Sequence, residues 1–339
     1  MITVPADTEA PPARQALVAA AAETAVAAAL DVLAEEGRAY ADQARSANTR
    51  RAYRADWADF TAWCQTRRLD ALPAAPATVA LYITDLAGRV DAPRKPATIQ
   101  RRLAAISQAH KLAHLPSPTG DPSVRAVNTG IRRTHGTAPD AKAPAVTDEL
   151  RRMLRALPAT TRGVRDRALL LMGFAGAFRR SELVALDVAD VRRTEEGLVV
   201  TIRRSKTDQE GAGRTIGIPY GSDPLTCPVR ALGGWVAVSG VTEGALFRTV
   251  GNDDRVQEGR LSDRGVARAV QRGAQAAGLD PATYAGHSLR AGLATAAAKA
   301  GVSERAIMAQ TGHKSLTMLR KYIRDGSLWH ENAAAKVGL

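Results

Sequence analysis

The chain has 339 residues, which is enough for two domains that each bury a core of their own. Lysine and arginine number 47 against 34 aspartates and glutamates, and the net charge of +13 favours a polyanionic partner such as nucleic acid over a merely basic, well-solvated surface. Two cysteines are too few for a disulfide framework or for a zinc site of cysteine alone. Since no apolar run reaches the ~18 residues of a membrane helix, we expect a cytoplasmic protein with no membrane partner.

Residues 1–44 predict an N-terminal extension. Proline and alanine dominate up to Arg14 and favour a flexible segment. The alanine-rich run from about Gln15 to Glu36 then predicts a helix that stops at Gly37.

Residues 45–135 predict a small helical domain. Asn48 can cap its first helix, whose buried face carries Tyr53, Trp57, Phe60 and Cys64 at three- and four-residue spacing. Further helices are predicted at Thr78 to Leu86, Thr98 to Leu115 and Ser123 to Thr134. In the second of these, the buried stripe comprises Ile99, Leu103, Ile106 and His110. The neighbouring Gln100, Arg101 and Arg102 should reach solvent or a ligand.

Residues 136–146 (GTAPDAKAPAV) lack periodicity and predict a linker to a mixed α/β domain over residues 147–322. The apolar run Asp166 to Ala175 predicts a buried helix. Two β-branched segments, Leu198 to Ile202 and Arg214 to Ile218, predict an antiparallel hairpin. Further helices are expected at Thr147 to Leu157, Ser262 to Ala277, Ser288 to Lys299, Ser303 to Gln310 and Ser315 to Tyr322. The expected fold class is therefore mainly α, with an N-terminal helical domain and a mixed α/β domain that holds a small antiparallel sheet.

Polar residues in four segments of the second domain require an explanation. One pair directly follows the buried helix, one lysine lies in the hairpin turn, another pair opens a helix one turn apart, and the last pair flanks a short helix. Each has an ordinary explanation when taken alone, as a surface arginine, a helix cap or a packed tyrosine. In chain order they are Arg179, Glu182, Lys206, His287, Arg290, His313 and Tyr322.

Their order and spacing resemble the motifs of the tyrosine recombinases, the phage integrase family. The segment Arg179-Arg180-Ser181-Glu182-Leu183 is similar to the family's first arginine box, and His287-x-x-Arg290 is similar to its second. Gly312-His313, followed nine residues later by Tyr322, is similar to the third histidine and the nucleophile. Lys206 falls where the family has its hairpin lysine. From about Ser46 onward the likeness is to the Cre-type site-specific recombinases, with departures at Gly176-Ala177-Phe178, where many members carry Thr-Gly-Leu or Thr-Gly-Met, and at His313.

The resemblance implies an N-terminal core DNA-binding domain, a catalytic domain and an enzyme that cuts and rejoins DNA through a 3′-phosphotyrosyl intermediate. Tyr322 would be the nucleophile, and paired guanidinium donors of Arg179 and Arg290 would hold the phosphate while Glu182 orients them. His287 would accept the tyrosine proton, Lys206 would protonate the departing 5′ oxygen, and His313 would hydrogen-bond the phosphate. Because the bond energy is kept in the phosphotyrosine, neither ATP, a metal nor any other cofactor is expected.

The resemblance also implies the partners. We expect double-stranded DNA with inverted-repeat target sites, a monomer or dimer on one site, and a homotetramer on two, in a nucleoid-associated protein. Residues 323–339 would form a tail exchanged between subunits. Arg51, Arg101, Arg102 and Arg264 are the expected DNA contacts, although each could be an ordinary solvated arginine. A type IB topoisomerase, a hairpin telomere resolvase and a non-catalytic DNA-binding regulator remain alternatives.

Overall fold

The computed structural model describes residues 30–37, 40, 46–89, 91–138, 142–205, 208, 213–317, 319, 320 and 322. The chain divides into two compact units, Met1–Pro139 and Asp140–Leu339. Of the predicted N-terminal helix, residues 30–37 are described and are helical, Gly37 included. Within the described residues we find no helix long and apolar enough to cross a membrane. Lys206 and the tail at 323–339 lie outside the described residues.

The first unit is built from helices. Proline opens the second, third and fourth of them, where its fixed φ suits the first helical position. The first helix is capped by Ser46, whose Oγ accepts from the Thr49 backbone N at 3.3 Å. The predicted cap at Asn48 is therefore wrong, because Asn48 already lies inside the first turn. The bounds are α1 Ala47–Gln65, α2 Pro76–Gly88, α3 Pro96–Leu112 and α4 Pro122–His135.

Aromatic side chains and a buried histidine fix the core of this unit. The ring centroids of Phe60 and Tyr82 lie 4.9 Å apart, joining α1 to α2. His110 is fully buried on α3 and is satisfied by the backbone at both ring nitrogens. Its Nε2 accepts from Ala74 N at 2.9 Å, and its Nδ1 donates to Ile106 O at 2.9 Å. The predicted buried stripe of α3 is confirmed in all four residues.

The second unit places helices around two small antiparallel sheets. The bounds are α5 Thr147–Ala156, α6 Thr161–Ala175, α7 Arg180–Ala185, β1 Val191–Arg193, β2 Gly197–Ile202, β3 Arg214–Pro219, α8 Pro228–Ser239, β4 Arg248–Val250, β5 Val256–Arg260, α9 Asp263–Ala276, α10 His287–Lys299 and α11 Glu304–Thr311. The described residues among 316–322 are also helical. Strands β1, β2 and β3 form one sheet in that order, and β4 pairs with β5. The predicted hairpin is confirmed as β2–β3, with Val200 opposite Ile216.

Helix α6 is the centre of this unit and packs against α8 and α10. Its residues Leu169, Leu170 and Met172 are fully buried, as the apolar run predicts. Trp235 of α8 is also fully buried, and its Nε1 donates to Leu246 O at 2.8 Å. The packing of α6 places the turn that follows it, which carries Arg179, at the edge of the core.

Residues 142–146, in the predicted linker, pack on the second unit. Ala143 N donates to Thr283 O and Ala145 N donates to Ser288 O, each at 2.9 Å. Ala145 passes so close to α10 that a Cβ at Gly292 would lie 2.0 Å from the Ala145 carbonyl oxygen. Glycine at this position thus lets α10 dock against the segment that enters the unit.

Candidate active site

The centre of the candidate site is a buried carboxylate. Glu182 lies in the first turn of α7, with its side chain 1% exposed. Its Oε1 accepts from Arg179 Nη1 at 2.5 Å, and its Oε2 accepts from the Arg179 backbone N at 2.9 Å. A negative charge at a helix N-terminus is also stabilised by the helix dipole. Glu182 therefore fixes the side chain of Arg179.

Arg290 supplies a second guanidinium and is only 2% exposed. It lies one turn into α10, and its Nη1 donates to Ala177 O at 2.7 Å. Its Nη2 is buried and has no hydrogen-bond partner among the described residues. Burial, followed by the charge of Arg179, lowers the pKa of Arg290 to about 10, so Arg290 remains charged at neutral pH. A buried cation with an unpaired donor is costly, and an anionic ligand would offset that cost.

The turn between α6 and α7 carries Arg179 and contacts Arg290 of α10. Ala177 has a φ of 47°, in the left-handed region that glycine normally occupies, and it is fully buried. Its carbonyl is the acceptor for Arg290, while Arg179 follows two residues later. This is one of the positions at which the sequence departs from the tyrosine recombinases that its motifs resemble, many of which carry glycine here.

Arg214 is a third guanidinium of the site and was missed by the sequence analysis. It opens β3, and its Nη2 lies 3.5 Å from Glu182 Oε2 while its Nη1 donates to Gln310 O at 3.0 Å. Burial lowers its pKa, and Glu182 partly offsets that shift. Gly312 has a φ of +64°, and a Cβ there would lie 2.9 Å from Arg214 Cζ. An arginine at the start of a strand gives no signal of its own, because the contact depends on the approach of α11.

Tyr322 lies against His287. The Tyr322 hydroxyl is 2.6 Å from His287 Nε2. The His287 ring remains exposed, although the protein around it removes part of its hydration. This desolvation lowers the pKa of His287, and the charges of Arg290, Arg180 and Arg179 lower it further. Burial raises the pKa of Tyr322, and Arg290 opposes that shift. At neutral pH the pair is therefore a phenol beside a neutral imidazole that can accept its proton.

His313 is next to this pair, with its ring centroid 5.8 Å from that of Tyr322. Gly312 ends α11 in the left-handed conformation and turns the chain into His313. The His313 Nδ1 lies 2.7 Å from Thr311 Oγ1. Burial and then the charge of Arg290 lower the pKa of His313 to about 4.

Six of the seven predicted catalytic residues are thus brought into one cluster, and Arg214 joins them. Lys206 lies outside the described residues, but the base of its hairpin is described. Arg203 Nη2 donates to Asp190 Oδ2 at 2.7 Å and also to Asp187. Arg260 Nη2 donates to the other oxygen of Asp187 at 2.5 Å. These contacts tie the end of β2 to the segment that follows α7 and to β5.

The four predicted DNA-contact arginines differ in their surroundings. Arg51 and Arg264 are exposed, and Arg51 donates to Asn48. Arg101 is half exposed and makes a bidentate contact with Asp56 at 2.7 and 2.9 Å.

Arg102 corrects one expectation from the sequence. It is 7% exposed, pairs with Asp59 and donates to the Tyr82 hydroxyl at 2.5 Å. The expectation that Arg102 reaches solvent or a ligand is wrong, because α1 and α2 supply its partners within the unit. Its burial also argues against a direct contact with DNA.

A metal site is not evident in the part of the chain that the structure describes. None of its histidine, cysteine, aspartate and glutamate side chains form a group of three or more that could hold a metal ion. The polar groups that converge on the site are instead three guanidiniums, two imidazoles, one carboxylate and one phenol. This set suits an oxyanion with negative charge spread over several oxygens.

Comparison with known proteins identifies the family of this chain. Residues 146–327 match the phage integrase family. The chain is 40% identical over 296 residues to the integrase/recombinase xerD homolog of Selenomonas ruminantium, covering 86% of each chain. It is 28% identical over 286 residues to the recombinase cre of Escherichia phage P1, covering 78% of this chain and 80% of that one.

Solved structures of lambda integrase share the fold. Its dimer bound to a COC′ core site matches with a TM-score of 0.57 at 18% identity and covers 86% of this chain and 76% of that chain. Its tetramer bound to a Holliday junction matches with a TM-score of 0.57 at 16% identity and covers 87% and 76%. The family match spans more than half of the chain, and the relative from Selenomonas ruminantium matches most of it. This protein therefore belongs to the phage integrase family of tyrosine recombinases, the site-specific enzymes that break and rejoin DNA.

Proposed function

We propose that Tyr322 attacks a DNA phosphodiester, forms a 3′-phosphotyrosyl bond and releases a 5′ hydroxyl. The 5′ hydroxyl of another strand then attacks the phosphotyrosyl bond, which forms a new phosphodiester and releases Tyr322. The observation that carries this assignment is the 2.6 Å contact between the Tyr322 hydroxyl and His287 Nε2 beside the arginine cluster, formed by Arg179, Arg214 and Arg290. A nucleophile, a proton acceptor and preorganised cations are the groups that this chemistry needs.

Arg179 and Arg290 hold the non-bridging oxygens of the scissile phosphate. Negative charge on these oxygens rises as the fifth oxygen approaches phosphorus, and buried guanidinium donors stabilise it more than water does. The buried Nη2 of Arg290 supports this role, since it has no protein partner among the described residues. Glu182 neutralises part of the repulsion between Arg179 and Arg214 and keeps both side chains oriented.

Two proton transfers complete the reaction. His287 accepts the Tyr322 proton, which its lowered pKa permits because the ring is neutral at physiological pH. Lys206 protonates the departing 5′ oxygen, and His313 contacts the phosphate. No ATP and no metal ion are required, since the bond energy is retained in the phosphotyrosine for religation.

The partner is double-stranded DNA with inverted-repeat sites in the nucleoid. One subunit occupies each half-site, so a monomer or dimer forms on one site and a homotetramer on two. The dimer on a core site and the tetramer on a Holliday junction formed by lambda integrase support this stoichiometry by analogy of fold. We assign residues 45–135 to DNA binding, 136–146 to the linker, 147–322 to catalysis and 323–339 to subunit exchange; residues 1–44 form the extension.

The exposed arginines are the proposed protein–DNA contacts. Arg51 and Arg264 carry guanidiniums at the surface, and Arg101 retains half of its exposure despite its pairing with Asp56. Phosphate contacts of this kind fix register without reading sequence.

Trapping of covalent DNA tests the proposal directly. Genomic fragments are incubated with wild-type protein or Tyr322→Phe in EDTA, denatured, and the protein-bound DNA is sequenced. We expect adducts at a defined inverted repeat with wild type and none with the Phe variant, which should still bind DNA nearly as well because phosphate contacts dominate affinity. An adduct in the Phe variant would show that another residue is the nucleophile.

A two-plasmid assay separates the alternatives. Exchange between two copies of the trapped site is the expected result. Relaxation of one supercoiled plasmid without exchange would identify a topoisomerase-like enzyme, and hairpin ends would identify a telomere resolvase. Binding without any adduct would identify a non-catalytic regulator.

A further inference from the structure

The last turn of α11 places a hydroxyl against His313. Thr311 is fully buried, and its Oγ1 donates to Ile307 O at 2.6 Å. A threonine hydroxyl has one proton and two lone pairs, so its proton is already used in this bond. The contact of 2.7 Å between Thr311 Oγ1 and His313 Nδ1 must therefore be donated by the ring. His313 carries a proton on Nδ1.

This protonation of Nδ1 determines the state of the other ring nitrogen. In a neutral imidazole only one nitrogen bears hydrogen, so Nε2 of His313 carries a lone pair and can only accept a hydrogen bond. Among the described residues, Nε2 of His313 makes no hydrogen bond. A lone pair cannot donate to a phosphate oxygen, and Nε2 becomes a donor only when the ring takes up a second proton.

We propose that Thr311 is a positioning residue that fixes the orientation and tautomer of His313, so that His313 contacts the phosphate only as an imidazolium. The role in catalysis rests on the proposed function, whereas the tautomer itself does not. Thr311 does not touch the reacting atoms; it acts through His313.

The neighbours of His313 explain why the second proton arrives with the substrate. Arg290 and His287 approach from α10, Arg179 from the start of α7, Arg214 from β3, and Tyr322 from the C-terminal helical segment. The charged members of this group are cations, and they oppose protonation of His313 in the DNA-free protein. A bound phosphate diester reverses that balance, and one proton passes from solvent to Nε2.

Nitrogen NMR on the DNA-free full-length protein tests the tautomer. Histidine labelled with ¹⁵N shows which ring nitrogen is protonated, and the His313 signals are identified by their loss in His313→Gln. We expect Nδ1–H in wild type and in Thr311→Ser, and an increase of Nε2–H in Thr311→Val, because an unrestrained imidazole prefers that form. His110 is an internal control, since its Nδ1 donates to Ile106 O and should stay protonated in every variant.

Cleavage kinetics tests the consequence. On a nicked substrate of the trapped site, Thr311→Val should form the covalent adduct about tenfold more slowly, and Thr311→Ser should stay within about twofold of wild type, since serine keeps the hydroxyl. Valine keeps the shape of the side chain, so a loss that serine rescues cannot come from packing alone.

Three results would overturn the proposal: an Nε2–H signal for His313 in wild type, wild-type cleavage by Thr311→Val, or equal defects in the Val and Ser variants. Failure of the proposed function is distinguishable, because then no variant would form an adduct while the NMR result would still stand on its own.

Discussion

A few backbone and side-chain atoms make the arginine cluster possible. Arg179 donates to both carboxylate oxygens of Glu182, and Arg290 donates to the carbonyl oxygen of Ala177. Both partners lie within the six residues 177–182, so one short turn determines where two guanidiniums point. A substitution in this turn can therefore change stability without changing catalysis, provided that it keeps the atoms that contact the two arginines.

Ala177 allows such a separation. At a φ of 47° an alanine is strained by about 1 kcal/mol relative to glycine. We expect Ala177→Gly to raise the free energy of unfolding by about 0.5–1 kcal/mol, with adduct formation unchanged because the carbonyl that binds Arg290 is kept. Urea unfolding measures the first effect, with Ala168→Gly, which is fully buried inside α6, as the destabilising control. A less stable Ala177→Gly variant would mean that the methyl group contributes more through packing than it costs in strain.

His313 should make stability depend on pH. Its pKa is lowered to about 4 in the folded protein, whereas an unfolded histidine titrates near 6.5. Below pH 6.5 the unfolded chain thus takes up a proton on this histidine that the folded chain does not bind. The contribution of His313 to the free energy of unfolding is therefore fully present above pH 6.5 and declines as the pH falls towards 4. His313→Gln should flatten this decline between pH 7 and pH 5, by less than about 1.4 kcal/mol per pH unit.

Urea unfolding at several pH values measures that difference. His287 also has a lowered pKa and remains in both proteins, so only the difference in slope is attributed to His313. Equal slopes for the two proteins would contradict the lowered pKa of His313.

At single positions, the sequence predicted the residues whose spacing is characteristic and missed those whose partners come from distant elements. The order of Arg179, His287, Arg290 and Tyr322 is visible in one dimension. Arg214 was missed because its role depends on Glu182 and on α11, 96 residues away at Gln310. Arg102 was assigned to the surface because helical spacing could not show that Asp59 would lie beside it.

Helix α10 is the element that relates the chemistry to the packing. Its first turn carries His287 and Arg290, while Gly292 in the next turn accepts the close approach of Ala145. The same helix packs against α6 and α11, which precede Arg179 and His313 respectively. Three segments that carry active-site residues are therefore fixed by one helix.

In the first unit, Arg102 has the corresponding structural role. It joins α3 to Asp59 of α1 and to Tyr82 of α2. We expect Arg102→Met to lower the free energy of unfolding by about 2 kcal/mol, because Asp59 and the Tyr82 hydroxyl lose their shared partner. DNA affinity of the folded variant should stay within about twofold of wild type.

Arg51→Met is the matched control for that variant. Arg51 is exposed on α1, so its replacement should change stability by less than about 0.5 kcal/mol while it weakens DNA binding. Thermal unfolding and fluorescence anisotropy with labelled duplex separate the two effects. Equal losses of affinity in the two variants would mean that Arg102 leaves its buried pair to bind DNA.

Elements with strong periodicity or β-branched runs were predicted to within about three residues at each end, as for α3 and the β2–β3 hairpin, whereas α6 begins at Thr161, before the predicted start at Asp166. Helix α8 was missed because Gly233 and Gly234 interrupt its pattern, although Trp235 and Leu232 anchor it in the core. The β4–β5 hairpin was missed as well, since β5 (VQEGR) is largely exposed and lacks an apolar alternation.

At the scale of the whole molecule, a net charge of +13 accounts for attraction to DNA but gives no control over when DNA is cut. Recombination between two sites requires four active sites, of which only one pair may cut at a time. Such control needs a contact between subunits that reaches the nucleophile. In this chain Tyr322 directly precedes the segment 323–339, which we assign to subunit exchange.

Deletion of residues 327–339 tests that assignment. This segment carries Leu328, Trp329, Val337 and Leu339 on an otherwise polar and alanine-rich stretch, and large apolar side chains on so short a segment need a groove that covers them. If the groove belongs to a neighbouring subunit, the truncated protein should bind one site with unchanged affinity but form no two-site complex and no recombinant product. Leu328→Ala with Trp329→Ala should reproduce the defect without shortening the chain, whereas Lys336→Ala should not.

Gel shift with one-site and two-site DNA measures assembly, and plasmid exchange measures recombination. Normal exchange by the truncated protein would show that the tail packs on its own subunit or is dispensable, and subunit coupling would then have to come from another surface.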